Sequence, residues 1–293
     1  MDEEEILAEH FEAHRSHLRT VAYRVLGSLT EADDAVQETW LKAARADTGE
    51  VENLAGWLTT VVGRVCLDML RSRKSRREDA MADREPEPQV RLRRTANPEE
   101  VATMADEVGL AMLVVLDTLA PAERLAFVLH DMFAVPFADI APIIERSPET
   151  TQRIASRARQ RVRGKSIAED GDRTRRYRAV DAFLQAARDG EFAALLSMLD
   201  PNASYHPDEA ARLLGAGTDY FGANVLAEQF ATNAGMAAAW LAPIMLGDEP
   251  GFVLAPLGKM RLVFTVRFEG DRIAAIFAVA DPESLESLPL SIP

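Results

Sequence analysis

Residues 54–77 read LAGWLTTVVGRVCLDMLRSRKSRR, an apolar helical seam that runs into a dense basic end. Leu54, Trp57, Leu58, Val61, Val65 and Met69 recur at steps of three and four, the pattern of a helix buried along one face. Arg64, Arg71, Arg73, Lys74, Arg76 and Arg77 gather toward its C-terminal half, with Asp68 as the single acid among them. Cations at a helix C-terminus complement its dipole by about 0.3–1 kcal/mol each, which accounts for two or three of these. In a chain of formal net charge −14, the remainder marks a surface that faces a polyanion, and nucleic acid is the reading it favours.

The surrounding chain is globular throughout: 47% hydrophobic and 27% charged over 293 residues, a length that suggests two or three domains. No run of about 18 or more apolar residues occurs, so no membrane span is expected. The acidic helical start, MDEEEILAEHFEAH, is unlike a secretion signal, and a cytoplasmic location is expected. One cysteine, Cys66, excludes disulfide frameworks and four-cysteine zinc sites and reads as a small buried hydrophobe. His10, His14 and His17 share a helix at spacings able to hold zinc, but Phe11 interrupts the polar face and no metalloprotease glutamate follows His10, so no metal and no cofactor are expected.

Positive charge is concentrated early. Residues 1–178 carry 27 Lys/Arg against 32 Asp/Glu, whereas 179–293 carry 6 against 15, so the last part is not expected to meet nucleic acid.

Helical patterning dominates to about Gly164. An opening helix ends at Gly27; Thr30 is the expected N-cap of the next, with Asp33 in the capping-box position. That second helix turns Ala35, Val36, Thr39, Trp40 and Ala43 inward and Asp33, Asp34, Gln37 and Glu38 outward, and Asn53 is placed to cap the third. Residues 79–107 are poor in hydrophobes, contain three prolines and read as a linker. Further on, PFADIAPIIERSPETTQRIASRARQRVRG (136–164) folds as two helices around a turn at Arg146–Ser147, with Phe137, Ile140, Ala141 and Ile144 facing Ile154, Ala158 and Val162. Pro142 is expected inside the first of these helices, where it deletes a backbone donor or kinks the helix at a cost of about 3 kcal/mol. On the second, Arg153, Arg157 and Arg161 form a stripe, and Thr150, Gln152, Arg153, Ser156 and Arg157 are side chains that read base edges or bond phosphates.

After about Arg175 the pattern changes. Two short helices within YRAVDAFLQAARDGEFAALLSMLD precede alternating strands from Phe252, Met260 and Asp271, the last two joined by a hairpin at Glu269–Arg272, which makes an α+β domain. No internal repeat is evident.

Three segments in order, DDAVQETW (33–40), WLTTVVGRVCLDMLRSRKSRR (57–77) and LDTLAPAERLAFVLHDMFAVPFADIAPII with SPETTQRIASRARQRV (116–162), resemble an extracytoplasmic-function (ECF) sigma factor. The resemblance spans about residues 5–165. It implies that Asp33, Asp34, Gln37 and Glu38 dock on core RNA polymerase. It also implies that Asn53, Trp57, Arg64, Arg71, Arg73 and Lys74 hold the melted minus-ten element of promoter DNA. Thr150, Gln152, Arg153, Ser156, Arg157 and Arg161 would meet the minus-thirty-five duplex. No catalytic residue is implied. Where the family often has Arg-Asn in the third helix, this chain has Arg64-Val65.

The C-terminal part resembles the SnoaL-like cone of polyketide cyclases and nuclear transport factor 2, which one branch of these sigma factors carries as a regulatory tail. The branch's Gly-rich loop is replaced here by YHPDEAARLLGAG (205–217), and its Asn-Pro-Asp-Lys-Leu motif is only echoed in Asp281-Pro282 and Leu285.

The expected layout is therefore multidomain. A helical region 2 domain spans 1–78, a linker 79–107, a region 4 helix-turn-helix domain 108–166, a second linker 167–175 and a SnoaL-like α+β domain 176–293. Tyr205, His206, Asp208 and Arg212 form a polar cluster, and Trp240 is placed to line a cavity. The plain reading of the cluster is a surface loop flanked by prolines; a ligand pocket or an enzyme site are the functional readings. With net charge −9 over 179–293, this domain is suited to fold back on the basic helices. A helix-turn-helix regulator that never engages polymerase is the alternative for the whole chain.

Overall fold

The computed structural model describes residues 3–46, 48, 51, 53–82, 109–164, 171–237, 240–256 and 259–292. The chain splits into two compact units, Met1–Met104 with Leu119–Arg159 and Ala105–Thr118 with Gln160–Pro293.

Among the described residues the first unit is built from helices joined by turns. Helix α1 (Glu3–Leu26) buries Leu18, Val21, Ala22 and Val25 against α2 (Leu29–Ala43) and α3 (Leu54–Ala82). Ser28, not Thr30, caps α2, its hydroxyl accepting the Glu31 N–H, because Thr30 already lies inside the first turn. Asn53 caps α3 as expected, its side-chain oxygen accepting the Gly56 N–H at 2.9 Å.

The α3 seam differs from the periodic reading. Leu58, Val62, Val65, Cys66, Leu67 and Leu70 are buried, whereas Leu54, Trp57, Val61 and Met69 are only half-buried. The cause is a second packing partner: α3 has α1 and α2 on one side and the Pro121–Phe127 helix on another, so burial spreads beyond one stripe. Gly63 permits that second approach, since a Cβ there would come within 3.1 Å of Leu129 and 3.6 Å of Ile143.

Cys66 is fully buried, and burial pushes its thiol far above the ordinary range. Iodoacetamide is therefore expected to leave Cys66 unmodified in native buffer and to alkylate it once urea unfolds the chain. Mass spectrometry checks this, and rapid native alkylation would contradict the packing.

One helix of the sequence reading comes out shorter than expected. After α4 (Leu110–Asp117), which belongs to the second unit, α5 (Pro121–Phe127) starts with Pro121 in its first turn and with Glu123 accepting the Ala120 N–H; it continues through a π turn at Val128–Met132. Helix α6 (Phe137–Ile140) is a single turn, so Pro142 falls in the following turn, exposed, and removes no helical hydrogen bond. Helix α7 (Pro148–Arg163) begins after Glu145, whose φ is 57°, and is capped by Ser147, which accepts the Thr150 N–H at 3.3 Å. Ala155 rather than Ile154 takes the inward position on α7, with Ala158 and Val162, and Ile154 is half-buried.

The second unit contains α8 (Gly171–Arg188), α9 (Phe192–Met198), α10 (Glu209–Leu213), α11 (Ala223–Ala237) and α12 (Pro282–Ser287). Its sheet comprises β1 (Leu199–Pro207), β2 (Tyr220–Phe221), β3 (Leu241–Leu246), β4 (Glu249–Leu254), β5 (Leu262–Glu269), β6 (Arg272–Val279) and β7 (Leu290–Ser291). Strand order is β2-β1-β6-β5-β4-β3-β7; β1 and β6 are parallel and the other pairs antiparallel. This is the α+β architecture the sequence implies. The β5–β6 hairpin closes through Gly270 and Asp271 with Glu269 opposite Arg272, and Gly270 takes the positive φ of 60° that such a tight turn requires.

Helices α8 and α11 cover the sheet, and α9 packs on both, around a core that includes Phe183, Leu195, Leu226, Phe252 and Ile276. Of the stretch 167–175, expected as a linker, residues 171–175 belong to α8; of 79–107, residues 79–82 continue α3 and the remainder lies outside the described residues.

Candidate functional site

The four acidic or polar positions of α2 are all exposed on one face, because Ala32, Ala35, Val36 and Thr39 turn the opposite face into the core. They are not equivalent. Asp33 is held by Arg19 through two contacts of 2.6 and 3.1 Å, which ties α1 to α2. Glu38 stands 3.7 Å from Lys42, an exposed pair one turn along the helix. Asp34 and Gln37 have no side-chain partner among the described residues.

On α3, Asn53 is spent on the cap and Trp57 is half-buried beside it. Arg64 is exposed and donates to the Pro142 carbonyl at 3.4 Å. Arg71, also exposed, lies 3.7 Å from the Glu145 carboxylate. Both cations of the third helix thus meet the turn that precedes α7.

Arg73 does something else. It points inward, donating to the Leu26 carbonyl at 3.2 Å and to the Glu31 carboxylate, and so clamps the end of α1 to the start of α2. The side chains of Lys74, Arg76 and Arg77 lie outside the described ones.

On α7, Gln152, Arg153, Ser156, Arg157 and Arg161 are exposed, and Thr150 is half-buried with its hydroxyl 3.1 Å from that of Ser147. Thr151, absent from the sequence reading, is buried and donates to the Ser147 carbonyl at 2.9 Å, which fixes the helix start. Arg159 pairs with Asp131 at 2.5 Å and fastens α7 to the π turn. The arginine stripe therefore stands on a helix whose opposite face is anchored.

His17 sits edge-on to Phe133 at 5.4 Å and 3.5 Å from the Thr59 hydroxyl; burial, then the neighbouring His14, lowers its pKa. Among the described residues no group of three or more His, Cys, Asp or Glu is placed to hold a metal ion. Nor is any described helix long and apolar enough to cross a membrane.

In the second unit the 205–212 cluster is built on β1 and α10, not on a loop. Successive residues of a strand point to opposite faces. Tyr205 enters the core, donating to the Ala216 carbonyl at 2.8 Å, while His206 stacks on Phe277 at 5.3 Å. His206 Nδ1 is 2.8 Å from Asp219, which Arg212 also holds at 2.6 Å. The His206 contact is the largest of the influences that keep the Asp219 carboxyl below the usual range.

Asp208 caps α10. Partial burial pushes its carboxyl up, but N–H donors from Ala211, Ala280 and Asp281, with Arg212 nearby, outweigh burial and hold it low. That is a fastening between the end of β1 and the end of β6.

A cavity of about 420 Å³ opens beside this strand, lined by Tyr205, Tyr220, Phe230, Phe252 and Phe264 among others. Trp240 is half-buried, accepts the Ala255 N–H through its backbone carbonyl, and is not among the lining side chains; its neighbour Leu241 is.

The structure thus presents an exposed acidic helix, a basic third helix and a helix-turn-helix with a cationic outer face. Residues 10–76 match the family model of Sigma-70 region 2. Over 291 residues the chain is 30% identical to the probable ECF RNA polymerase sigma factor SigI of Mycobacterium tuberculosis, covering 98% of each. It is 33% identical over 302 residues to the ECF RNA polymerase sigma factor SigJ of the same species, covering 96% of this chain and 93% of SigJ. The crystal structure of SigJ aligns with a TM-score of 0.43 and 24% identity over 94% of this chain and 97% of that one. The chain belongs to the ECF sigma factor family and is a transcription initiation factor.

Proposed function

We propose that the exposed face of α2, with Asp34 and Glu38 as its available charges, docks on core RNA polymerase, and that α3 and α7 direct the enzyme to promoter DNA. The observation that carries this reading is the division of labour within one helical unit: exposed Asp33, Asp34 and Glu38 on one face of α2, with Lys42 the cation beside Glu38, and exposed arginines on α3 and α7. Asn53, Trp57, Arg64 and Arg71 are the minus-ten contacts it assigns, and Arg64 and Arg71 must exchange their present partners in the α7 turn for DNA. Flipping a base out costs a few kcal/mol, which a pocket plus backbone cations offsets. Arg73 is assigned to holding α1 on α2, and the side chain of Lys74 stays unassigned.

In the minus-thirty-five duplex, Gln152, Arg153, Ser156 and Arg157 would face the major groove, with Thr150 and Arg161 at the groove edges. No side chain of the chain is asked to do covalent chemistry, and the site of action is the cytoplasm, where polymerase works. The C-terminal unit modulates the sigma units.

Run-off transcription with core polymerase, on promoters selected from the host genome, tests the reading. Failure both to bind core enzyme and to open any promoter would sink it. Truncation after Arg163 is expected to change the transcription output, and unchanged output would remove the modulatory role.

The α7 arginines give a quantitative check. Each phosphate contact contributes about 0.9 to the slope of log affinity against log salt on duplex DNA. Arg153→Ala with Arg157→Ala in the holoenzyme is expected to weaken binding to a minus-thirty-five duplex by about 10- to 100-fold. If both contact phosphate, the slope falls by about 2; if they read bases, discrimination against altered duplexes falls instead. Anisotropy titrations across salt concentrations distinguish these outcomes, and wild-type affinity in the double variant would place the duplex contact elsewhere.

A further inference from the structure

The cavity of the second unit is notable for what lines it. Phe252 and Phe264 stack at 4.4 Å with 11° between their planes, and Tyr205 and Tyr220 at 5.6 Å with 23°, so two pairs of near-parallel rings form flat walls. The remaining lining is the Phe230 ring with aliphatic, glycine and alanine residues, apart from the Gln229 amide; no Asp, Glu, Lys, Arg or His among the described residues reaches it. Among the titratable groups beside the lining in sequence, His206 and Arg212 are committed to Asp219 and Asp208 to three backbone N–H groups, while Glu228 and Arg261 are exposed and do not line the cavity. At the cavity's edge Leu214 is 55% exposed, and the adjacent Leu213 is 83% exposed.

Physical chemistry then selects the occupant. An ionised ligand would lose its hydration with no countercharge to replace it, a cost of several kcal/mol. A flat neutral molecule gains stacking on the ring walls and covers Leu214, and about 420 Å³ falls within the usual range for small-molecule pockets. Proton-transfer chemistry lacks a base: burial pushes the Tyr205 phenol well above the ordinary range, and it donates to Ala216 as a neutral group.

We propose that the C-terminal unit of this sigma factor binds a neutral, planar, largely apolar small molecule between the Tyr205–Tyr220 and Phe252–Phe264 walls, and performs no chemistry on it. The site is a sensor input in the modulatory unit. Its occupancy can be measured without polymerase or promoter, so its failure is distinct from failure of the promoter reading.

The experiment titrates the full chain with phenylnaphthylamine, a neutral fused-ring dye whose fluorescence rises in apolar surroundings. One saturable site per chain is expected. Leu254→Trp, which fills the cavity from β4, is expected to weaken binding at least tenfold with the unfolding midpoint retained. The anionic relative anilinonaphthalene sulfonate is expected to bind at least tenfold more weakly than the neutral dye. Absence of saturable binding, equal binding by Leu254→Trp, or equal affinity for the sulfonate would each overturn the proposal. Should Leu254→Trp unfold the unit, the comparison of the two dyes on the wild-type chain still decides.

Discussion

Asp34→Lys combined with Glu38→Lys is expected to lower affinity for core RNA polymerase by about 100-fold or more while leaving the helical unit folded. Both carboxylates are exposed on α2, and Asp34 has no side-chain partner among the described residues. Glu38 loses only its exposed contact with Lys42, a pair of the kind worth about 0.3–0.5 kcal/mol. The cost to folding is therefore small. At a complementary interface the effect is far larger, because two cations placed against a basic partner replace attraction by like-charge repulsion, which costs several kcal/mol. Asp33 is unsuited to the same test: its two contacts with Arg19 join α1 to α2, so its loss mixes binding with stability. The measurement is core-enzyme titration of labelled chain, with binding to a minus-thirty-five duplex as the internal control. Loss of polymerase affinity with intact duplex binding supports a sigma factor; unchanged polymerase affinity would remove α2 from the interface. If the wild-type chain itself shows no polymerase affinity, the helix-turn-helix regulator becomes the better reading.

The differences between sequence and structure have physical causes that particular residues show. Asn53 was legible as a cap because capping is local, a side chain three residues from its donor. The α3 seam was misplaced because periodicity reports a buried face only when one side is buried, and here Gly63 admits Leu129 and Ile143 on another side. Arg73 counts as one more cation in a charge tally, yet its partner Glu31 is 42 residues away, and no local pattern announces such a clamp. Pro142 disrupts a helix only if α6 runs past it, and α6 ends at Ile140.

The same holds for the C-terminal unit. Its hairpin and strands follow from alternation and turn residues, whereas the cavity is assembled from β1, the 214–220 segment, α11, β3, β4 and β5, and no single stretch carries its signature. By sequence alone His206 is a titratable residue beside Tyr205 and reads as part of the same pocket. Strand alternation, applied to β1, separates the two onto opposite faces and removes His206 from the cavity.

Phe252→Ala should be the most damaging single truncation in the C-terminal unit. Phe252 is fully buried, lies directly opposite Phe264 in the β4–β5 register, stacks on that ring at 4.4 Å and meets Phe230 at 6.3 Å. Truncating a buried phenylalanine costs about 3–5 kcal/mol, through lost transfer energy and the hole left behind. Phe252 also lines the cavity, so the new void merges with existing empty space and the surrounding side chains have little incentive to close over it. The expected cost lies toward the upper part of that range. Where exchange proceeds by global opening of the unit, each 1.4 kcal/mol is tenfold in protection, so β4 and β5 amides should exchange about 1,000-fold faster or more. Leu213→Ala provides the contrast: at 83% exposure its removal is expected to stay within about 0.5 kcal/mol. Hydrogen exchange followed by mass spectrometry resolves the two variants. A loss below about 1 kcal/mol for Phe252→Ala would mean that the ring wall is not part of the stabilising core, and would also weaken the case for a rigid planar site built on it.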